Sequence, residues 1–111
     1  MYSWNMKQSI AIKSLAAMAH DGRLTLMRML IKAGEQGVGA GTLARKARIA
    51  ATTASAQLNA LAQAGLVRSE RQGRAVTYYA DFTQLTKLMA FLMHDCCQGR
   101  EDICAEILQR A

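Results

Sequence analysis

Residues 42–64, TLARKARIAATTASAQLNALAQA, continued by GLVRSERQGRAVTYY at 65–79, decide the fold. Thr42 to Ala47 reads as a short helix with Leu43 inward and Arg45, Lys46 and Arg48 outward. Ile49 and Ala50 form a turn. Ala51 to Ala64 reads as a longer helix stopped by Gly65, which can take the left-handed conformation that ends many helices. Its anchors are Leu58 and Leu61, while Thr52, Thr53, Ser55, Gln57 and Asn59 crowd its N-terminal half. The period then changes. LVRSE (66–70) and AVTYY (75–79) favour strands, and Arg71-Gln72-Gly73-Arg74 between them predicts a hairpin with an arginine-rich tip.

A basic helix, a turn, a helix with a polar leading half and a basic hairpin, in that order, form the pattern of a winged helix-turn-helix. The expected fold is therefore mainly α with a small β-hairpin. The second helix of such a unit fits the major groove, where its N-terminal residues reach base edges. Thr52, Thr53, Ser55, Gln57 and Asn59 carry small or amide hydrogen-bonding groups suited to that work, and an amide such as Gln57 can read adenine bidentately. Arg45, Lys46, Arg68, Arg71 and Arg74 are expected at phosphates, or in the minor groove for the hairpin tip. Either feature alone suits a solvated surface equally well; their order along one basic stretch favours double-stranded DNA.

Working outward, residues 8–19 are helix-compatible, with Ile12, Leu15, Ala16 and Ala19 on one face. Asp21 is the expected N-cap of a helix running to about Ala33, with Leu24, Met27, Leu30 and Ile31 as its inward stripe. Gly34, Gly37, Gly39 and Gly41 predict a loop. From Phe82 a further helix presents Phe82, Leu85, Leu88, Met89 and Leu92, widened by Ala90, Phe91 and Met93. A helix apolar on more than one face needs more than its own core to cover it, which predicts a homodimer. The organisation is a single domain over 1–111. Its expected parts are dimer helices at 8–19 and 82–97, the helix-turn-helix at 42–64, the hairpin at 66–80 and a C-terminal sensing segment at 98–111.

Composition agrees. One hundred and eleven residues suit one domain with a modest core. The net charge is +6, unevenly placed. Residues 1–80 hold eleven basic and three acidic groups, whereas residues 81–111 hold three and five. One part of the chain is built for a polyanion and the other is not. No apolar run is long enough to predict a membrane span. MYSWNMKQSI lacks the features of a signal peptide, so a cytoplasmic location is expected. No nucleophile–base pair, phosphate loop or paired carboxylates are found, which predicts a non-enzyme with no catalytic cofactor and no small organic substrate.

All three cysteines, Cys96, Cys97 and Cys104, fall within nine residues. In a reducing compartment such a cluster suggests ligands or sensors rather than structural disulfides. Three thiolates suit trivalent arsenic or antimony, soft ions whose lone pair fills the remaining position. Zinc prefers four ligands and could recruit His94 or Asp95. An unbroken helix would hold Cys97 and Cys104 roughly 10 Å apart, so Gly99 is expected to turn the chain back. Ion binding is then expected to reposition residues 98–104. A dithiol redox or persulfide switch through Cys97 and Cys104 is the alternative, and inert packing of the thiols is a third reading. The methionines on helical stripes, Met18, Met27, Met89 and Met93, read as core filling, and His20 as structural.

Three segments together, LAAMAHDGRLTLMRML (15–30), ATTASAQLNALAQAGLV (51–67) and RSERQGRAVTYYAD (68–81), resemble the ArsR/SmtB family of dimeric winged-helix metalloregulators. DCCQGREDIC (95–104) is similar to the arsenic-responsive branch. The resemblance implies a homodimer built from the first and fifth helices. It also implies a repressor that leaves its operator when trivalent arsenic or antimony binds Cys96, Cys97 and Cys104. The chain departs from the zinc-sensing branch at Asp81-Phe82-Thr83, which lacks that branch's histidine, and no cysteine lies between 35 and 60.

Overall fold

A computed structural model of the chain describes residues 6–97, with side chains through Met93. Five helices and a small sheet follow in order: α1 (Gln8–Met18), α2 (Asp21–Ala33), a 3-10 turn (Gly34–Gln36), β1 (Val38–Gly39), α3 (Ala40–Ala47), α4 (Ala51–Gln63), β2 (Val67–Gln72), β3 (Ala75–Ala80) and α5 (Phe82–Cys97). This is a winged helix-turn-helix, mainly α with an antiparallel hairpin.

The core forms where α2, α3 and α4 meet the sheet. Leu26, Met27 and Leu30 of α2, Leu43 of α3, and Leu58 and Leu61 of α4 are fully buried, together with Leu66, and close against Val67, Tyr78 and Ala80. Each buried leucine contributes about 2 kcal/mol by leaving water, so this cluster is the main stabilising term. A smaller cluster of Met6, Ala11 and Leu88 joins α1 to α5.

The α2 stripe is rotated from the one expected. Leu26, Met27 and Leu30 point inward, while Leu24 and Ile31 are 45% and 41% exposed. Apolar residues occupy six of the positions between 24 and 31, so periodicity admits several faces and tertiary packing selects one. On α1 the departure is larger. Ile12, Leu15, Ala16 and Ala19 all lie exposed, and the buried residues are Ala11 and Ser14. Small side chains let α1 approach its neighbours closely. Ser14 avoids the cost of an unpaired buried hydroxyl through a 3.3 Å hydrogen bond from Gln84 Nε2 of α5.

The glycine-rich segment is more ordered than a loop. Val38 and Gly39 pair antiparallel with Tyr78 and Thr77, giving a three-stranded sheet of order β1-β3-β2. Gly37 makes this possible. Its φ is +71°, and an added Cβ would lie 2.6 Å from the Tyr79 ring and 2.7 Å from the Tyr78 carbonyl oxygen. The N-cap of α2 also moves by one residue. Asp21 is the first helical residue and His20 caps it, its Nδ1 accepting from the backbone N–H of Gly22 and Arg23. An imidazole nitrogen thus does the work that the Asp21 carboxylate was expected to do.

No helix among the described residues is long and apolar enough to cross a membrane.

Candidate nucleic-acid interface

The two helices of the motif are joined by a tight turn. Arg48 ends α3 in the left-handed conformation, φ 60°, and its backbone N–H returns to the carbonyls of Ala44 and Arg45. This αL cap satisfies the helix end and sends the chain directly into α4. No side chain caps the start of α4, so its first backbone N–H groups receive no help from Ala50.

Burial of Ala54, Leu58 and Leu61 fixes the rotation of α4. At 3.6 residues per turn, the opposite face carries Thr52, Ala56, Asn59 and Gln63, flanked by Thr53 and Ser55. Thr52, Thr53, Ser55 and Asn59 are all exposed. Gln57 stands apart from them. It is half-buried on the side facing α2, where its Oε1 accepts a 3.2 Å hydrogen bond from Arg23 Nη1. The acceptor of Gln57, expected to read adenine, is thus engaged by Arg23 within the fold.

The hairpin closes with Gln72 opposite Ala75, leaving Gly73 and Arg74 as a two-residue turn. Gly73 has φ +61°, the arrangement that primed hairpin turns need to match strand twist. The side chains of Arg71, opposite Val76 in the ladder, and of Arg74 are exposed and make no hydrogen bond or ion pair among the described residues. Arg68 differs. It lies opposite Tyr79 in the ladder, with its guanidinium carbon 4.5 Å from the ring centroid and Nη1 3.2 Å from Glu70 Oε1. The Tyr79 hydroxyl donates to Glu70 Oε2 at 3.3 Å. These exposed contacts are individually weak, but together they hold Arg68 at the base of the hairpin rather than at its tip. On α3, Arg45 donates to Thr42 Oγ1 at 3.2 Å, and Lys46 is exposed beside it.

The site therefore has a polar helix face, a hairpin tip with two arginines unpaired among the described residues and a flanking basic helix. Its groups can donate to phosphate oxygens and make hydrogen bonds with base edges. Arg23 is the residue that sequence reasoning passed over. A cation in the first turn of a helix opposes the macrodipole, and that mismatch is a readable signal of a tertiary partner.

The side chains of Cys96 and Cys97 and the whole of Cys104 lie outside the described residues, as does the segment 98–111. Among the described residues no three His, Cys, Asp or Glu side chains come together to hold a metal. Asp81 accepts from the backbone N–H of Gln84 at 3.0 Å and so caps α5.

Comparison with known proteins supports the fold. A sequence profile described as a helix-turn-helix domain matches residues 18–70. No curated protein matches the chain. Among solved structures, an ArsR-like transcriptional regulator from Rhodococcus sp. RHA1 is 26% identical, with a TM-score of 0.68 and 93% of each chain covered. HlyU from Vibrio cholerae N16961 is 27% identical, with a TM-score of 0.65 over 82% of this chain and 97% of that one. The homodimeric winged helix-turn-helix domain of Mb0332 from Mycobacterium bovis, described as a possible ArsR-family regulator, shares the fold. It is 22% identical, with a TM-score of 0.62 over 82% of this chain and 89% of that one. The chain thus carries a helix-turn-helix domain on the winged-helix fold shared by transcriptional regulators of the ArsR type.

Proposed function

We propose that the chain is a cytoplasmic, homodimeric transcriptional repressor of the ArsR/SmtB family that binds operator DNA and is released by trivalent arsenic or antimony. The observation that carries the DNA reading is the exposed face of α4 together with a hairpin tip whose two arginine side chains have no partner among the described residues. In this reading α4 enters the major groove. Thr52, Thr53, Ser55 and Asn59 meet base edges or phosphates there, and Arg71 and Arg74 reach the neighbouring backbone. Arg45 and Lys46 add positive charge along the flank.

Dimerisation is supported by apolar surface on the two outer helices. Ile10, Ile12 and Leu15 of α1 and Phe82 and Met89 of α5 are each at least 38% exposed. Two copies of that surface would cover one another and hold the two α4 helices at a fixed separation. Operator half-sites about one helical turn apart, roughly 34–36 Å, require such spacing.

The inducer reading rests on donor chemistry. Cys96 and Cys97 are the last residues of α5, and Cys104 follows seven positions later. Three thiolates complete the coordination of a trivalent metalloid without a fourth ligand. Because α5 packs on α1 through Leu88 and Ala11, a pull at its C-terminal end acts on the helices proposed to space the DNA readers. Linkage then requires operator DNA to weaken inducer binding by the same factor.

The test is operator binding followed by fluorescence anisotropy, with arsenite, antimonite, a persulfide donor or an oxidant added to the reduced protein. The expected result is release by arsenite or antimonite, lost in Cys97→Ser. Release by persulfide or oxidant alone would replace the metalloid with a dithiol switch through Cys97 and Cys104. Indifference to all four would leave a DNA-binding protein whose cysteines are inert.

A further inference from the structure

The corner between α1 and α2 is tied to α4 by one side chain. Helix α1 ends with carbonyls that no helical N–H can reach. The Ala16 carbonyl accepts from the N–H of Ala19, and that of Met18 from the N–H of His20. The Ala17 carbonyl accepts instead from Arg23 Nε, at 2.6 Å. A cation there meets the negative end of the α1 dipole. The same guanidinium reaches on to Gln57 Oε1 through Nη1, at 3.2 Å. Its starting point is held as well, because the His20 cap accepts from the backbone N–H of Arg23 itself. Gly22 lies at the same corner: a Cβ there would stand at ordinary contact distance, 3.8 Å from Gln57 Nε2 and 3.4 Å from the His20 ring.

We propose that Arg23 is a positioning residue for DNA recognition, fixing α4 relative to the C-terminal end of α1 by bridging the Ala17 carbonyl and Gln57. The proposal rests on the DNA-binding reading. Gln57 shares α4 with Thr52, Ser55 and Asn59 but is turned toward the fold, so it transmits position rather than reading bases. Arg23 is half-buried beneath this corner and acts through Gln57 rather than as a phosphate contact. Movement of α1 in a dimer therefore reaches the reading helix through a fork of two charge-assisted hydrogen bonds. Lysine offers no such planar fork.

Arg23→Gln, Gln57→Ala and the double variant test this on the full-length protein, by anisotropy on operator and scrambled DNA across a salt series. Each single variant is expected to weaken operator binding about tenfold, within the range of a hydrogen bond to a charged group. Binding to scrambled DNA and the salt slope should stay at wild-type values, and the double variant should lose no more than either single one. A merely structural role would lower both affinities together. A phosphate contact would cut the slope by about 0.9 in Arg23→Gln. Additive losses would mean that Arg23 and Gln57 act separately. Any of these three results overturns the proposal. Urea denaturation of the same four proteins reads the tie without DNA. If wild type binds no DNA, the functional reading fails, while non-additive unfolding energies would still report the bridge.

Discussion

Gly34 and Gly37 offer a matched pair of perturbations at one end of the sheet. Both have φ +71°, with ψ −148° and −177°, a region occupied essentially by glycine. An alanine at either position carries a backbone strain of about 1–3 kcal/mol. The surroundings differ. A Cβ at Gly34 meets nothing within 4 Å, whereas one at Gly37 lies 2.6 Å from two carbons of the Tyr79 ring and 2.7 Å from the Tyr78 carbonyl oxygen. Backbone cannot yield as a flexible side-chain tip can, so Gly37→Ala adds an overpacking cost of about 1–3 kcal/mol. The expected total is about 2–6 kcal/mol, a large share of the roughly 5–15 kcal/mol that holds a domain together. Gly34→Ala should cost only the strain term. The assay is urea unfolding by far-UV circular dichroism, at one protein concentration because the stability of the proposed dimer would depend on it. In thermal melts the gap between the variants should be about 4–20 °C. Equal destabilisation of the two would refute the close approach of Gly37 to Tyr79, and with it the β1–β3 pairing described above.

Three further outcomes follow from the same geometry. Arg71→Ala and Arg74→Ala should each weaken DNA binding and lower the salt slope by about 0.9, read from affinities across a salt series; Arg68→Ala, whose side chain is engaged by Glu70 and Tyr79, should change the slope less. Ile12→Glu with Leu15→Glu should shift the protein to monomer in analytical ultracentrifugation while far-UV dichroism keeps its helical signal, because both positions lie outside the core. His20→Ala should cost about 1 kcal/mol in urea unfolding, the worth of an N-cap, and no change would mean that the α2 amides are satisfied otherwise.

The fold was legible because its signals were local. Leu58 and Leu61 with Gly65 after them marked α4, and the strand-forming runs around Gly73 marked the hairpin. Orientation was less legible. On α1 the large residues Ile12 and Leu15 suggested an inward face, yet Ala11 and Ser14 occupy it. Periodicity reports that a helix has faces, but the space left by neighbouring elements decides which one is buried. β1 has no local signature because two residues, Val38 and Gly39, carry no alternation, and their pairing with Tyr78 and Thr77 is set about forty residues away. In the interface, exposure at Thr52, Thr53, Ser55 and Asn59 accords with the sequence pattern. Gln57 departs from it because its partner Arg23 lies 34 positions earlier, a relation that no local window contains. The His20 cap was hidden for a different reason: the adjacent Asp21 is the stronger capping residue by type, and only the backbone geometry decides between them.

The α4 face and the hairpin tip are proposed to read a DNA sequence. The most direct measurement is the affinity of the reduced protein for duplex DNA from its own upstream region against a scrambled duplex of equal length, across a salt series. Upstream binding is expected to be tighter by about a thousandfold or more, with a log–log salt slope that falls when Arg71 and Arg74 are removed. Equal affinity for the two duplexes, or binding unaffected by salt, would contradict it.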